Sequence, residues 1–134
     1  MENFVEYTLT IKTIAAVGGL LLVQLIIADI AGIKSKHNPG STVTADHNSF
    51  LFRATRVLGN MNESVMIFMA FAIAGILSGA DPVLLGRSAM VYALARACFA
   101  LCYWFNIKTA RSIFFGVGAI ALFVMGVAVI MSLT

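Results

Sequence analysis

The stretch that decides the fold is "RATRVLGNMNESVMIFMAFAIAGIL", residues 53–77. Its second half, 65–77, is entirely apolar, whereas its first half contains two arginines, two asparagines and a glutamate. Because about 20 mainly apolar residues are enough for a helix to cross a bilayer, the stretch predicts a membrane-spanning helix with a charged end. A charge near the bilayer centre costs about 2.5–3.5 kcal/mol on insertion scales, so this end should face other helices, a cleft or a polar ligand.

The composition of the whole chain is that of an integral membrane protein. Of its 134 residues, 60% are hydrophobic and 11% are charged, and its mean hydropathy is +0.96. Soluble domains have about a quarter of their residues charged. The net charge of +3, without any run of Lys or Arg, excludes a nucleic-acid-binding surface. The acidic N-terminus is unlike a secretory signal, so the first apolar run is expected to be a retained helix.

Three further apolar runs accompany the first, and together they predict an all-α membrane four-helix bundle. The polar segment 34–49 contains Pro39-Gly40 and is expected to be a loop, and "GADP" (79–82) is expected to be a tight turn. We therefore predict a single domain over residues 1–134 with four spans, at about residues 8–33, 50–78, 84–105 and 110–133.

The distribution of basic residues predicts the orientation of the helices. The second connection has only Arg87, beside Asp81, whereas the other two connections and their flanks are richer in cations. By the positive-inside rule, the first and third connections are cytoplasmic and both termini lie on the opposite side. The cations that set this orientation are Lys34, Lys36, Arg53, Arg56, Lys108 and Arg111.

Four polar residues of the second span follow a helical period. Arg53, Arg56, Asn60 and Glu63 are separated by steps of three, four and three, which places them on one face of a helix. Their position predicts that this face meets a cleft or a neighbouring helix rather than lipid.

The third span has a similar stripe, formed by Tyr92, Arg96, Phe99 and Tyr103. Arg96 needs a partner inside the membrane, and Glu63 is the only carboxylate in the second or third span. An Arg96–Glu63 pair that holds the bundle together is therefore one interpretation. It leaves Arg53, Arg56 and Asn60 without a role.

The start of the fourth span, Arg111-Ser112, suits an anion. A helix N-terminus prefers negative charge, so an arginine there indicates an anionic ligand, although a snorkelling arginine at the membrane boundary is the simpler alternative.

Taken together, the stripes fit a peptide with two carboxylates, an amine and a thiol. Glu63 would meet the amine, and Arg111 with Ser112 or Tyr103 would stabilise a thiolate, because a free thiol has a pKa of about 8.5.

Two blocks of the sequence resemble a known family. "FLFRATRVLGNMNE" (50–63) resembles the Arg-x-x-x-Asn-x-x-Glu signature of the MAPEG family, the membrane-associated proteins in eicosanoid and glutathione metabolism. "ALARACFALCYWFNIKTARS" (93–112) resembles the family's second block. The resemblance implies a homotrimer of four-helix bundles that binds glutathione between subunits near the cytosolic face. The small size resembles that of bacterial members, which implies a bacterial inner membrane.

The resemblance also implies a reaction and a set of site residues. Glutathione, as co-substrate and without a metal, would attack a lipophilic electrophile from the bilayer or reduce a lipid hydroperoxide. Phe99 stands where some members have His or Tyr. By position, Arg111 and Ser112 would be catalytic, and glutathione would be bound by Arg53, Arg56, Asn60, Glu63, Arg96 and Tyr103.

Other classes of protein fit the sequence less well. The main alternative is a noncatalytic MAPEG-fold protein whose polar stripes serve trimer assembly or bind another anionic ligand. A small multidrug transporter would need a central carboxylate in its first span, where only Asp29 is present, near the end. Cys98 and Cys102 form C-x3-C rather than the C-x-x-C of a disulfide oxidoreductase. His37 and His47 are too few for a metal site.

Overall fold

The chain folds into four long helices, as a computed structural model that describes residues 4–134 shows. Each helix is long and apolar enough to cross a membrane, so the predicted all-α class is confirmed and the four helices are candidate membrane spans. The protein is an integral membrane four-helix protein. The helices are α1 (Thr8–Lys34), α2 (Phe50–Ser78), α3 (Pro82–Trp104) and α4 (Lys108–Leu133).

The ends of the helices follow from local sequence. Ser49 caps α2, since its hydroxyl accepts a hydrogen bond from the Phe52 N–H, and Asp81 caps α3 by accepting one from the Leu84 N–H at 2.6 Å. Pro82 occupies the first turn of α3, where a missing N–H costs nothing. This explains why α3 begins two residues earlier than expected. Gly79, with φ of +73°, ends α2 in the left-handed conformation that favours glycine.

The centre of the bundle is a close-packed apolar core. Phe68 of α2 stacks on Tyr92 of α3, with ring centroids 4.7 Å apart, and Met125 of α4 is fully buried beside them. The Tyr92 hydroxyl shares a hydrogen bond of 2.8 Å with the Ser64 hydroxyl. The phenol is therefore buried without leaving its oxygen unpaired, as a low-dielectric interior requires.

The end of the bundle that carries the 79–82 turn is fixed by polar contacts between helices. The Tyr7 hydroxyl donates to the Ala80 carbonyl oxygen at 2.6 Å, and the hydroxyls of Ser78 and Ser132 are 2.6 Å apart. Functional candidates lie at the other end, where residues 35–49 connect α1 to α2 and residues 105–107 connect α3 to α4.

Candidate functional site

Arg96 lies inside the bundle in a cage of aromatic rings. Only 3% of it is exposed, and its guanidinium carbon is 5.4 Å from the Tyr92 ring centroid, 5.8 Å from Phe99 and 5.3 Å from Phe115. Its Nη1 donates to the Asn60 side-chain oxygen, whereas its Nε has no partner. Cation–π contacts and one hydrogen bond thus stabilise a charge held away from water.

The Arg96–Glu63 ion pair, one of the interpretations that the sequence left open, is not formed. Glu63 is 64% exposed, and its one ion pair within residues 4–134 is with Arg56, at 3.9 Å. The reason is angular, since residues three apart on a helix differ by about 60° in direction. Asn60 therefore points into the bundle while Glu63 points out of it. The stripe of α2 crosses the boundary between the interior and the surface.

The outward half of this stripe is polar at membrane depth. The Arg56 side chain is 45% exposed, and Asn62, which the sequence reasoning missed, is exposed beside Glu63. Glu63 lies thirteen residues after the start of α2 at Phe50, which is about 20 Å along the helix axis. In a single chain surrounded by lipid, these side chains would contact hydrocarbon, which is costly.

Arg53 joins the first connection to the end of α3. Its Nη1 donates to the His47 carbonyl oxygen at 2.6 Å, and its Nε donates to the Trp104 carbonyl oxygen at 3.2 Å. The last carbonyls of a helix have no partner within the helix and carry partial negative charge, so a guanidinium is a favourable partner there. We call this arrangement of Arg53, His47 and Trp104 the arginine clamp.

Tyr103 lies at the centre of a second group of site candidates. The Arg111 guanidinium carbon is 4.5 Å from the Tyr103 ring centroid, and the His47 ring centroid is 6.0 Å from the same centroid. The Ser112 hydroxyl is exposed and donates to the Lys108 carbonyl oxygen at 3.5 Å. Arg111 and Tyr103 therefore meet through the ring face, while Ser112 projects beside them from α4.

Several buried polar atoms near these groups have no hydrogen-bond partner. Such atoms are uncommon, because buried polar groups normally bond to protein or to water. Two of these atoms belong to connection residues, His47 and Asn106, to which the sequence analysis assigned no role in the site. Asn106 has a φ of +59°, which indicates a constrained backbone in this glycine-free turn. The atoms are His47 Nδ1, Arg96 Nε, Trp104 Nε1, Asn106 Oδ1 and Arg111 Nη1.

The described residues hold no group of three or more metal-ligating side chains. His37 instead bonds locally to Ser41, with Nε2 3.1 Å from the Ser41 carbonyl oxygen. Cys98 and Cys102 are free thiols. The polar chemistry of the site therefore rests on guanidinium, amide, carboxylate, phenol and hydroxyl groups.

These features define a class of integral membrane four-helix proteins with an arginine-rich polar site at one end of the bundle. The chain belongs to the MAPEG family, since residues 3–131 match that family. Members of this family commonly use glutathione. A search of curated proteins gave no significant match.

Proposed function

We propose that the protein is a membrane-bound, glutathione-dependent transferase or peroxidase that works as a homotrimer. Glutathione would bind in a cleft between neighbouring copies, where the outward half of the α2 stripe faces the next subunit. The substrate would be a lipophilic electrophile or lipid hydroperoxide that reaches the cleft from the bilayer. Family membership supports the use of glutathione, and the geometry of α2 supports the position of the cleft.

The observation that carries this proposal is that the α2 stripe has a buried part, Asn60, and an exposed part, Arg56 and Glu63. Asn60 is buried and bonded to Arg96, so it gives the cleft a rigid polar floor. Arg56 and Glu63, at 45% and 64% exposure, have only a 3.9 Å contact with each other. Exposed charges at this depth need a polar surrounding that lipid does not supply. A second copy and a charged peptide ligand would together supply it.

Each side chain has a role that follows from its chemistry. Arg56 would bind a glutathione carboxylate, and Glu63 would accept a hydrogen bond from the amine. Arg96 would hold Asn60 in position from inside the bundle, and the Tyr103 hydroxyl would face the ligand. Arg53 was expected to bind glutathione as well, and in the clamp its Nη1 and Nε are used by carbonyl oxygens.

The reaction requires a thiolate, which Arg111 would stabilise. Its Nη1 has no partner in the described chain, and Ser112 lies next to it as an exposed hydroxyl donor. In conjugation, the sulfur forms a bond to an electrophilic carbon as the leaving group departs or the acceptor is protonated. In peroxide reduction, two glutathiones are oxidised to the disulfide while a hydroperoxide is reduced to an alcohol and water.

The orientation belongs to the same proposal. Lys34, Lys36, Arg53 and Arg56 lie at or near the first connection, at the same end of the bundle as Lys108 and Arg111. By the positive-inside rule this end is cytoplasmic, and both termini lie on the opposite side of a bacterial inner membrane. The site would then face the compartment in which glutathione is abundant.

Ultraviolet difference absorbance of the glutathione thiolate tests the proposal directly. Purified protein in detergent is titrated with glutathione, beside the variants Arg111→Ala and Glu63→Gln. A saturable thiolate signal in the native protein, lower in Arg111→Ala and shifted to higher glutathione concentration in Glu63→Gln, would support it. Absence of both binding and signal in the native protein would overturn it and favour the noncatalytic alternative.

A further inference from the structure

A furrow lies between α3 and α4, and none of its lining residues is among the proposed glutathione-site residues. Its volume is about 410 Å³, within the range of about 300–1,000 Å³ usual for ligand sites. Both helices contribute positions at i, i+3, i+4 and i+7, so each wall is a straight stripe and the furrow runs along the helix axes for about 10 Å. The lining residues are Leu84, Arg87, Ser88 and Val91 of α3 and Val117, Ile120, Ala121 and Val124 of α4.

The walls of this furrow are apolar apart from one end. The Ser88 hydroxyl is already used, since it donates to the Leu84 carbonyl oxygen at 2.7 Å. Arg87 is exposed and makes no ion pair within residues 4–134. It lies five residues after Pro82, about 7.5 Å along the helix from its start. An arginine this close to the end of a spanning helix can extend its guanidinium to the headgroups while its methylenes lie along apolar surface.

A smaller cavity, mostly apolar but with two polar side chains in its lining, adjoins the furrow at the end of the bundle. It has a volume of about 370 Å³ and shares Leu84 with the furrow, and it is also lined by Asp81 and Ser132. Asp81 is exposed, with no cation within 4 Å in the described chain. Asp81 and Arg87 are each three residues from Leu84. Side chains on a helix lean towards its N-terminus, which is the direction of this shared residue from Arg87.

We propose that the furrow and the adjoining cavity bind an amine-bearing phospholipid, of the phosphatidylethanolamine class. An acyl chain would lie in the apolar furrow, the phosphate would contact Arg87, and the primary ammonium would contact Asp81. Arg87 and Asp81, which have no ion pair within residues 4–134, lie on either side of Leu84 and match the two opposite charges of such a headgroup. The Asp81 Oδ1 also accepts the capping hydrogen bond from the Leu84 N–H. An anionic lipid without an amine satisfies only Arg87, and a quaternary ammonium cannot donate hydrogen bonds to Asp81.

The test is lipid binding to the delipidated full-length protein in detergent, measured by native mass spectrometry. Phosphatidylethanolamine, phosphatidylglycerol and phosphatidylcholine with identical acyl chains are compared. We expect phosphatidylethanolamine to bind tightest, and Arg87→Gln and Asp81→Asn each to weaken it about fivefold, as for an exposed charge contact. Asp81→Asn retains the helix cap, because asparagine caps as well as aspartate.

Two further variants make the test specific. Lys12→Gln removes another exposed cation near the same end of the bundle, where Leu9 packs against Gly86, but Lys12 does not line the furrow. It should leave binding unchanged. Val117→Trp fills the furrow and should weaken all three lipids.

Three results would overturn the proposal. The first is equal or tighter binding of phosphatidylglycerol, which would indicate a site for negative charge alone. The second is a loss in Lys12→Gln as large as that in Arg87→Gln, which would indicate a diffuse surface effect. The third is a change in assembly mass on Val117→Trp with lipid binding unchanged, which would show that a second copy covers the furrow.

Discussion

Gly118 leaves the space that the Arg96 side chain occupies. A Cβ at this position would lie 3.2 Å from the Arg96 Nε, whereas a Cβ at Gly116 would meet nothing within 4 Å. Gly118→Ala should therefore displace the guanidinium and weaken glutathione binding, about tenfold if one charge-assisted contact is lost. Gly116→Ala is the matched control and should bind as the native protein does. Titration of both variants by isothermal calorimetry checks this, and equal affinities would contradict it.

Asn60 and Asn62 offer a second comparison between neighbouring residues of one type. Asn60 is the hydrogen-bond acceptor of buried Arg96, and Asn62 is exposed. Asn60→Ala leaves a buried charge without that bond, so the free energy of unfolding should fall by about 1.5–3 kcal/mol. Asn62→Ala should change it by less than about 0.5 kcal/mol. Denaturation in mixed micelles measures both, and similar losses in the two variants would be inconsistent with the Arg96–Asn60 contact.

At the scale of elements, the arginine clamp connects the first loop to the end of α3. Arg53→Gln should release the His47 carbonyl, so amide hydrogens of residues 35–49 should exchange faster in the absence of glutathione. Arg56→Gln is the control on the same helix, since its side chain is exposed and its one ion pair is with Glu63. It should weaken glutathione binding without changing loop exchange. Hydrogen–deuterium exchange with mass spectrometry separates the two, and unchanged loop exchange in Arg53→Gln would exclude the clamp.

The same elements show how far the sequence could be read. Four apolar runs and the Gly79, Asp81 and Pro82 turn predicted the helices, because burial in lipid and capping are local requirements. The spacing of the polar residues predicted that they share one face of α2. It did not predict that this face is divided between the interior and the surface, because about 60° of rotation places Asn60 and Glu63 in different environments. Of the interpretations open for Arg96, the one that pairs it with Glu63 is therefore wrong, because its side-chain hydrogen-bond partner is Asn60.

Contacts made by main-chain atoms were harder still to foresee. The clamp uses the carbonyl oxygens of His47 and Trp104, which every residue possesses, so no residue type at these positions signals it. From the sequence, His47 was considered only as a metal ligand, whereas its ring centroid lies 5.1 Å from that of Phe52. Only the path of the connection in three dimensions brings it there.

At the scale of the whole molecule, the apolar outer surface is interrupted on α2. Most large exposed side chains of the four helices are aliphatic or aromatic, as lipid contact requires. Arg56, Asn62 and Glu63 break this pattern on one side. A chain of 14.3 kDa with such a patch gains stability if copies cover it. In the proposed homotrimer, three copies related by rotation would cover this patch in three equivalent interfaces.

Replacing Glu63 with leucine distinguishes a covered patch from a lipid-facing one. The expected changes in protein stability and in glutathione affinity differ between the two cases. If the patch faces lipid, Glu63→Leu removes a polar group from hydrocarbon and should stabilise the protein without affecting glutathione. If the patch forms the intersubunit cleft, the variant loses the partner of the ligand amine. We expect glutathione binding about tenfold weaker or worse, and no gain in stability.

The measurements are assembly mass by light scattering in detergent, thermal stability, and glutathione affinity on the same samples. Met66→Leu is the control, since Met66 is 72% exposed on the same helix one turn away and already apolar. It should match the native protein in all three. A monomeric native mass, or a more stable Glu63→Leu variant with native glutathione affinity, would show that lipid covers this face and that the cleft lies elsewhere.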